Sequence, residues 1–183
     1  MPKSWRFWSA VWATCVVLGF VALARYETMP GAQAAVEPDW PSATSLARRG
    51  ATLVLFAHPE CPCTRATFAE LGRLLTRAGT APAVRILFVG AGAALRPLAA
   101  RIPGAVIADD PEGLEAKRFR ATTSGHVFLY DAQGVLLFHG GITPSRAHHG
   151  DSVGQSAILA HLAGRTAPAD APVFGCALFR GDR

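Results

Sequence analysis

The chain has 183 residues, half of them hydrophobic, with 18 basic against 13 acidic side chains and a net charge of +5. That length suits one domain with an appendage. The positive excess forms no basic cluster interleaved with aromatic residues, so no nucleic-acid partner is expected.

Residues 7–24, FWSAVWATCVVLGFVALA, carry no charge. At 1.5 Å per residue a helix over this stretch is about 27 Å long, near the thickness of a bilayer's hydrocarbon core. Lys3 and Arg6 precede it and Arg25 and Glu27 follow. This bias places the N-terminus in the cytoplasm and the rest of the chain in the periplasm, or outside the cell, of a bacterium. Small residues recur at Ala32, Ala34 and Ala35, as they would before the cut in a cleaved signal peptide, the competing reading. The run nevertheless exceeds the ~7 to 15 residues of a signal core. Trp5, Trp8, Trp12 and Tyr26 flank it as interfacial aromatics do, which favours a retained single-pass anchor in the inner membrane. Cys15 reads as a small apolar residue in lipid. The expected organisation is an anchor over 1–27, a tether rich in proline and glycine over 28–45, and a domain over 46–183 with a cysteine-bearing tail.

From Thr52 the pattern alternates between short buried strands and helices. TLVLFA (52–57) has strand length, and a helix is expected from Pro62 to about Arg77 with Phe68, Leu71, Leu75 and Ala78 on its apolar face. VRILFV (84–89) is a second strand, AALRPLAARI a short helix, and AVIA (105–108) a third strand. Pro111 suits the first turn of a helix running to about Arg120. HVFLYDAQGVLLFH (126–139) reads as a hairpin turning at Asp131 to Gly134. A last helix is expected over Val153 to Ala163, before the tail VFGCALFRGDR. This order predicts an α/β sandwich with a central mixed sheet and an antiparallel edge.

HPECPCTR (58–65) carries the chemistry. Pro62 steers Cys61 away from helical dihedrals and itself suits the first helical position. Cys61 is then expected as the helix cap and Cys63 as the second helical residue. Both sulfurs lie near unpaired amides and the positive end of the helix dipole, which favours the thiolate. Arg65 adds positive charge. Excluding Cys15, three cysteines remain in an exported domain, and an odd count implies a free thiol or a pairing that changes. Cys61 and Cys63 can form a strained, oxidising disulfide, or Cys176 can resolve an adduct on either one. Of the two, Cys61 is the expected nucleophile.

The succession of strand, cysteine motif at a helix start, strand, helix, hairpin and helix resembles the thioredoxin fold. AVIADDPEGLEAKRFRATTSGHVFLYDAQGVLLFHG (105–140) is similar to the membrane-anchored TlpA/ResA-type thiol-disulfide proteins and their peroxiredoxin and Sco relatives. The motifs HPxCPC, TSG, GGIT-x-(S/A)R-x-H and VFGC are similar to those of a small bacterial group labelled RedB-like. The resemblance implies a thiol-disulfide oxidoreductase with a thiol- or disulfide-bearing protein partner and no organic cofactor. Cys61 and Cys63 are the expected catalytic pair, with Cys176 the alternative resolving thiol and His58, Pro62, Arg65, Ser124 and Gly125 expected as supports. Gly125 stands where the family places a cis-proline that helps present a peptide partner. Thr123 stands where Sco proteins carry a copper-ligating histidine, followed by a serine matching Ser124.

The alternative is a module binding Cu(I) or zinc through Cys61, Cys63, Cys176, His148 and His149, since soft thiolates with imidazole suit these ions. His139 and His161 have no assigned role. Peroxide reduction lacks its usual T-x-x-C motif, and a purely structural bridge to Cys176 is the remaining rival. Gly140 and Gly141 are expected to serve backbone conformation.

Overall fold

The computed structural model describes residues 3–179. Helix α1 (Lys3–Thr28) stands apart from the core, with Trp8, Trp12 and Phe20 exposed. It is long and apolar enough to cross a membrane, by length and composition. The sheet contains β1 (Thr52–Ala57), β2 (Ala83–Val89), β3 (Ala105–Asp110), β4 (His126–Tyr130), β5 (Leu136–Gly140) and β6 (Asp170–Ala171). Their spatial order is β3-β2-β1-β4-β5-β6. Strands β1, β2 and β3 run parallel, β4 is antiparallel to β1 and to β5, and β6 is parallel to β5.

Every residue of β1 is buried because both faces of the sheet are covered. On one face, Leu53, Leu55, Ile86, Phe88, Val127 and Leu129 meet Phe68, Leu71 and Leu74 of α2 (Cys63–Arg77) and Ile158 of α5 (Val153–Leu162). A short α3 (Arg96–Ala99) contributes Ala99 to the same cluster. On the other face, Val54, Phe56, Leu87, Phe128 and Tyr130 pack against Ala116 of α4 (Leu114–Arg118) and against Phe119.

Five residues of α4 cannot cover that second face. The segment expected as a tether does so, laying Val36, Trp40 and Leu46 on the cluster. Trp40 meets Phe119 and Tyr130 edge-on, with ring centres 5.3 and 5.0 Å away. Backbone bonds fix its course, from Gly31 N to Val173 O at 2.7 Å, Trp40 N to Gly134 O at 2.8 Å and Leu136 N to Pro38 O at 2.7 Å. Residues 31–46 are therefore a strap bound to the domain.

Helix α4 begins at Leu114, later than Pro111 suggested, because residues 111–113 form a turn with Gly113 at φ 68°. The Asp110 carboxylate caps it by accepting from the amides of Glu115 at 3.2 Å and Ala116 at 2.8 Å. The acidic end of β3 thus organises the helix that follows it. Close packing explains the glycine pair: a Cβ at Gly140 or Gly141 would collide with the backbone of Ala171 or Pro172.

Candidate functional site

The chain leaves β1 at Ala57 and turns sharply before α2. His58 builds that turn. Its carbonyl accepts from Cys61 N at 3.2 Å. Its Nδ1 accepts from Glu60 N at 3.2 Å, and its own amide donates to Ser124 Oγ at 2.9 Å. The role expected of His58 and Ser124 as supports has this concrete form: together they lock the turn bearing Cys61 against the loop before β4. Thr64 Oγ1, 3.1 Å from Ser124 Oγ, ties the first turn of α2 to the same point.

Helix α2 starts at Cys63 with Pro62 as its cap, one residue later than expected. The difference is small in physical terms. Pro62 already has helical dihedrals, φ −58° and ψ −33°, and Thr64 N donates to Cys61 O at 3.1 Å. Cys61 is therefore the last non-helical residue before the opening turn. Gly125 has φ 91°, and its α-carbon approaches α2 so closely that a Cβ would lie 3.2 Å from Thr67 Oγ1. At this φ a larger residue is strained, which accounts for glycine at the position the resemblance singled out.

The third cysteine comes from the tail. Residues 176–178 run antiparallel to 122–124, with a bridge between Thr123 and Ala177. Cys176 Sγ lies 3.0 Å from Cys61 Sγ. All three cysteines of the domain are free thiols, with Cys61 1% and Cys63 7% exposed and Cys176 half-buried.

Their protonation is unequal. Hydrogen bonds from the thiols of Cys176 and then Cys63 hold Cys61 well below the usual thiol range, outweighing its burial. The same contact with Cys61, a further one with Cys63 and burial push Cys176 up. For Cys63 a hydrogen bond from Cys176 pulls down, but the bond to Cys61, burial and the charge of Cys61 raise the thiol overall. The shared contacts thus favour the thiolate at Cys61 and the thiol at its two neighbours.

A cation also acts here: the charge of Arg146 pulls Cys63 down, against the stronger effects that raise it. Arg65 occupies the exposed side of α2. Arg146 donates through Nη1 to the carbonyl of Gly175, and its guanidinium sits over Tyr26 at 5.1 Å. Its buried Nε has no hydrogen-bond partner among the described residues. Nothing local in the sequence marks Arg146 for this role, because its contact with the tail forms only once the loop after β5 folds over it.

That loop is anchored by Glu70, a fully buried carboxylate on α2. Glu70 accepts from Arg73 and Gln155, from Gly150 N at 3.1 Å, and lies 3.3 Å from His149 Nδ1. Burial would raise its pKa, but these bonds outweigh burial and keep the carboxyl below its usual range. His148 Nδ1 pairs with Arg146 O at 2.7 Å. The two histidines of the metal alternative thus have other partners. Among the described residues no group of three or more His, Cys, Asp or Glu side chains is arranged to hold a metal ion.

No family model matches the chain, and no curated protein does either. Solved structures match its fold. A hypothetical protein from Sinorhizobium meliloti is 22% identical, with a TM-score of 0.57 over 82% of this chain and 93% of that one. An uncharacterised conserved protein from Geobacillus kaustophilus is 19% identical, with a TM-score of 0.56 over 85% and 94%. A secreted Mycobacterium tuberculosis disulfide oxidoreductase is 14% identical, with a TM-score of 0.46 over 64% and 83%. The first two, with TM-scores of 0.57 and 0.56, share the mixed α/β fold around a central sheet that the order of elements in the sequence predicts.

Proposed function

We propose that this chain is a membrane-anchored thiol-disulfide oxidoreductase of the bacterial periplasm, with Cys61 as nucleophile. The observation that carries the reading is the convergence of three thiols at the start of α2, with Cys61 alone driven toward the thiolate. The thiolate is the form that attacks disulfides. Helix α1 supports the anchor, and Lys3 and Arg6 before the apolar run support an outward-facing domain.

In the reducing direction, the Cys61 thiolate attacks one sulfur of a partner's disulfide. A bond forms between Cys61 and that sulfur, and the other leaves as a thiolate and takes a proton from water. Cys63 or Cys176, once deprotonated, then attacks Cys61 and expels the partner's sulfur. Two electrons pass to the partner and one intramolecular disulfide remains. Arg146 favours the Cys63 thiolate needed for the second step. In the oxidising direction the same steps run in reverse. The partner is a thiol- or disulfide-bearing protein, and the residues themselves supply the redox chemistry.

The test is turnover of glutathione disulfide by the reduced full-length chain in detergent, followed as loss of protein thiols. Loss of two thiols per chain is expected, with Cys61→Ser inert. Unreactive thiols in a folded chain would refute the reading.

A further inference from the structure

The tail is held as an extended peptide by backbone groups. Leu178 N donates to Thr122 O and Ser124 N donates to Cys176 O, each at 2.8 Å. Such bonds accept any extended segment in the same register. What this segment presents is a cysteine, with Sγ 3.0 Å from Cys61 Sγ. With the tail in place Cys61 is 1% exposed and the Cys176 sulfur lies against it.

One position of the docked segment is sterically selective. A Cβ at Gly175 would lie 1.9 Å from the carbonyl oxygen of Ser124, a backbone atom that cannot rotate aside. The residue before the cysteine therefore has no room for a side chain. Two residues after the cysteine, Leu178 is buried. It borders a cavity of about 800 Å³ also lined by Lys117, Thr122 and Phe179.

We propose that the tail is an internal stand-in for substrate. The edge at 122–124 takes extended polypeptide in which glycine directly precedes the reacting cysteine and an apolar residue follows two positions later, and tail and substrate exclude one another. The proposal rests on the exchange reading above and adds the substrate class and the gate. Once the tail is displaced, the Cys61 thiolate attacks the peptide cysteine's sulfur within its disulfide. The peptide's former partner leaves as a thiolate and is protonated by water. Cys63 then loses its proton and attacks Cys61, releasing the peptide thiolate. The protein is oxidised by two electrons and the substrate disulfide reduced by two.

The experiment uses the reduced full-length Cys176→Ser chain in detergent micelles. It reacts with the peptide Phe-Gly-Cys-Ala-Leu-Phe, carried as a mixed disulfide with a chromogenic aryl thiol, and with the same peptide carrying alanine for glycine. Release of the chromophore should be at least about tenfold faster for the glycine peptide, since steric exclusion discriminates against the bulkier one. Adding Gly175→Ala to the chain should loosen the tail and speed the glycine peptide several-fold, with circular dichroism confirming the fold. Should that second variant unfold, the peptide ratio in Cys176→Ser alone decides. Equal rates for the two peptides would overturn the proposal while leaving the exchange chemistry standing. No reaction with either peptide or with glutathione disulfide would overturn both.

Discussion

Arg146 lies over Tyr26, its guanidinium carbon 5.1 Å from the ring centre, so the cation that acts on Cys63 is stacked on the last turns of α1. The amide of Arg146 also donates to Glu27 O at 3.0 Å. Replacing Arg146 with glutamine removes the charge that favours the Cys63 thiolate. Release of a preformed Cys61 adduct should slow several-fold, because less Cys63 thiolate is present at a given pH. Its pH profile should move to higher pH, and Arg146→Lys should restore most of the rate. Stopped-flow measurement across pH checks this, and an unmoved profile would count against the role.

His126 is fully buried on β4 and stacked on Phe128, with ring centres 4.2 Å apart. Burial, then the neighbouring His139, pulls its pKa down to about 3. The unfolded chain binds this proton near pH ~6.5 and the folded one does not, so folding loses stability as pH falls from there toward the folded value. His126→Phe should flatten that slope by on the order of a few kcal/mol, read from denaturant melts between those limits. A wild-type slope in the variant would show that other groups carry the dependence.

Glu70 offers a second pH-linked contact. Its depressed carboxyl stabilises the fold above the unfolded value of ~4.3, and that contribution disappears as pH falls through the lower folded value. Glu70→Ala leaves Gly150 N without its acceptor and Gln155 Nε2 with only Ile142 O, at a cost of about 1 to 3 kcal/mol by denaturation. Hydrogen exchange should rise at Gly150 and Gln155 before it rises in the sheet.

Trp40 tests the strap. Its edge-on contacts with Phe119 and Tyr130 place it at the centre of the segment covering the second face of the sheet. Trp40→Ala should cost about 2 to 3 kcal/mol and open residues 31–46 to limited proteolysis. Protection equal to wild type would mean that the backbone bonds alone hold the strap.

The sheet was legible because β1, β2 and β4 are short apolar runs bounded by turn residues, and β1 was read at its observed limits. The turn from Asp131 to Gly134 was readable from its residues, and Asp131 Oδ1 does accept from the amides of Gln133 and Gly134 at 2.9 and 2.8 Å. The strap was not legible, because proline and glycine mark irregular backbone equally well whether it is free or docked. Local pattern identified Cys61 and Cys63, and the odd cysteine count drew attention to Cys176. Arg146 and Gly175 act through contacts between segments far apart in sequence, which no local spacing encodes. Nothing in the local pattern of α2 marks Glu70, and only the return of residues 149–155 makes it a buried anchor.

The most direct test of the central claim is mass-spectrometric trapping of the adduct formed with a cysteine peptide disulfide. In the Cys63→Ser, Cys176→Ser double variant both resolving thiols are gone, and a stable one-to-one adduct on Cys61 is expected. The unsubstituted chain should instead release the peptide and retain an intramolecular disulfide. An adduct on Cys63 or Cys176 forming as quickly in Cys61→Ser would contradict the assignment of Cys61 as the nucleophile.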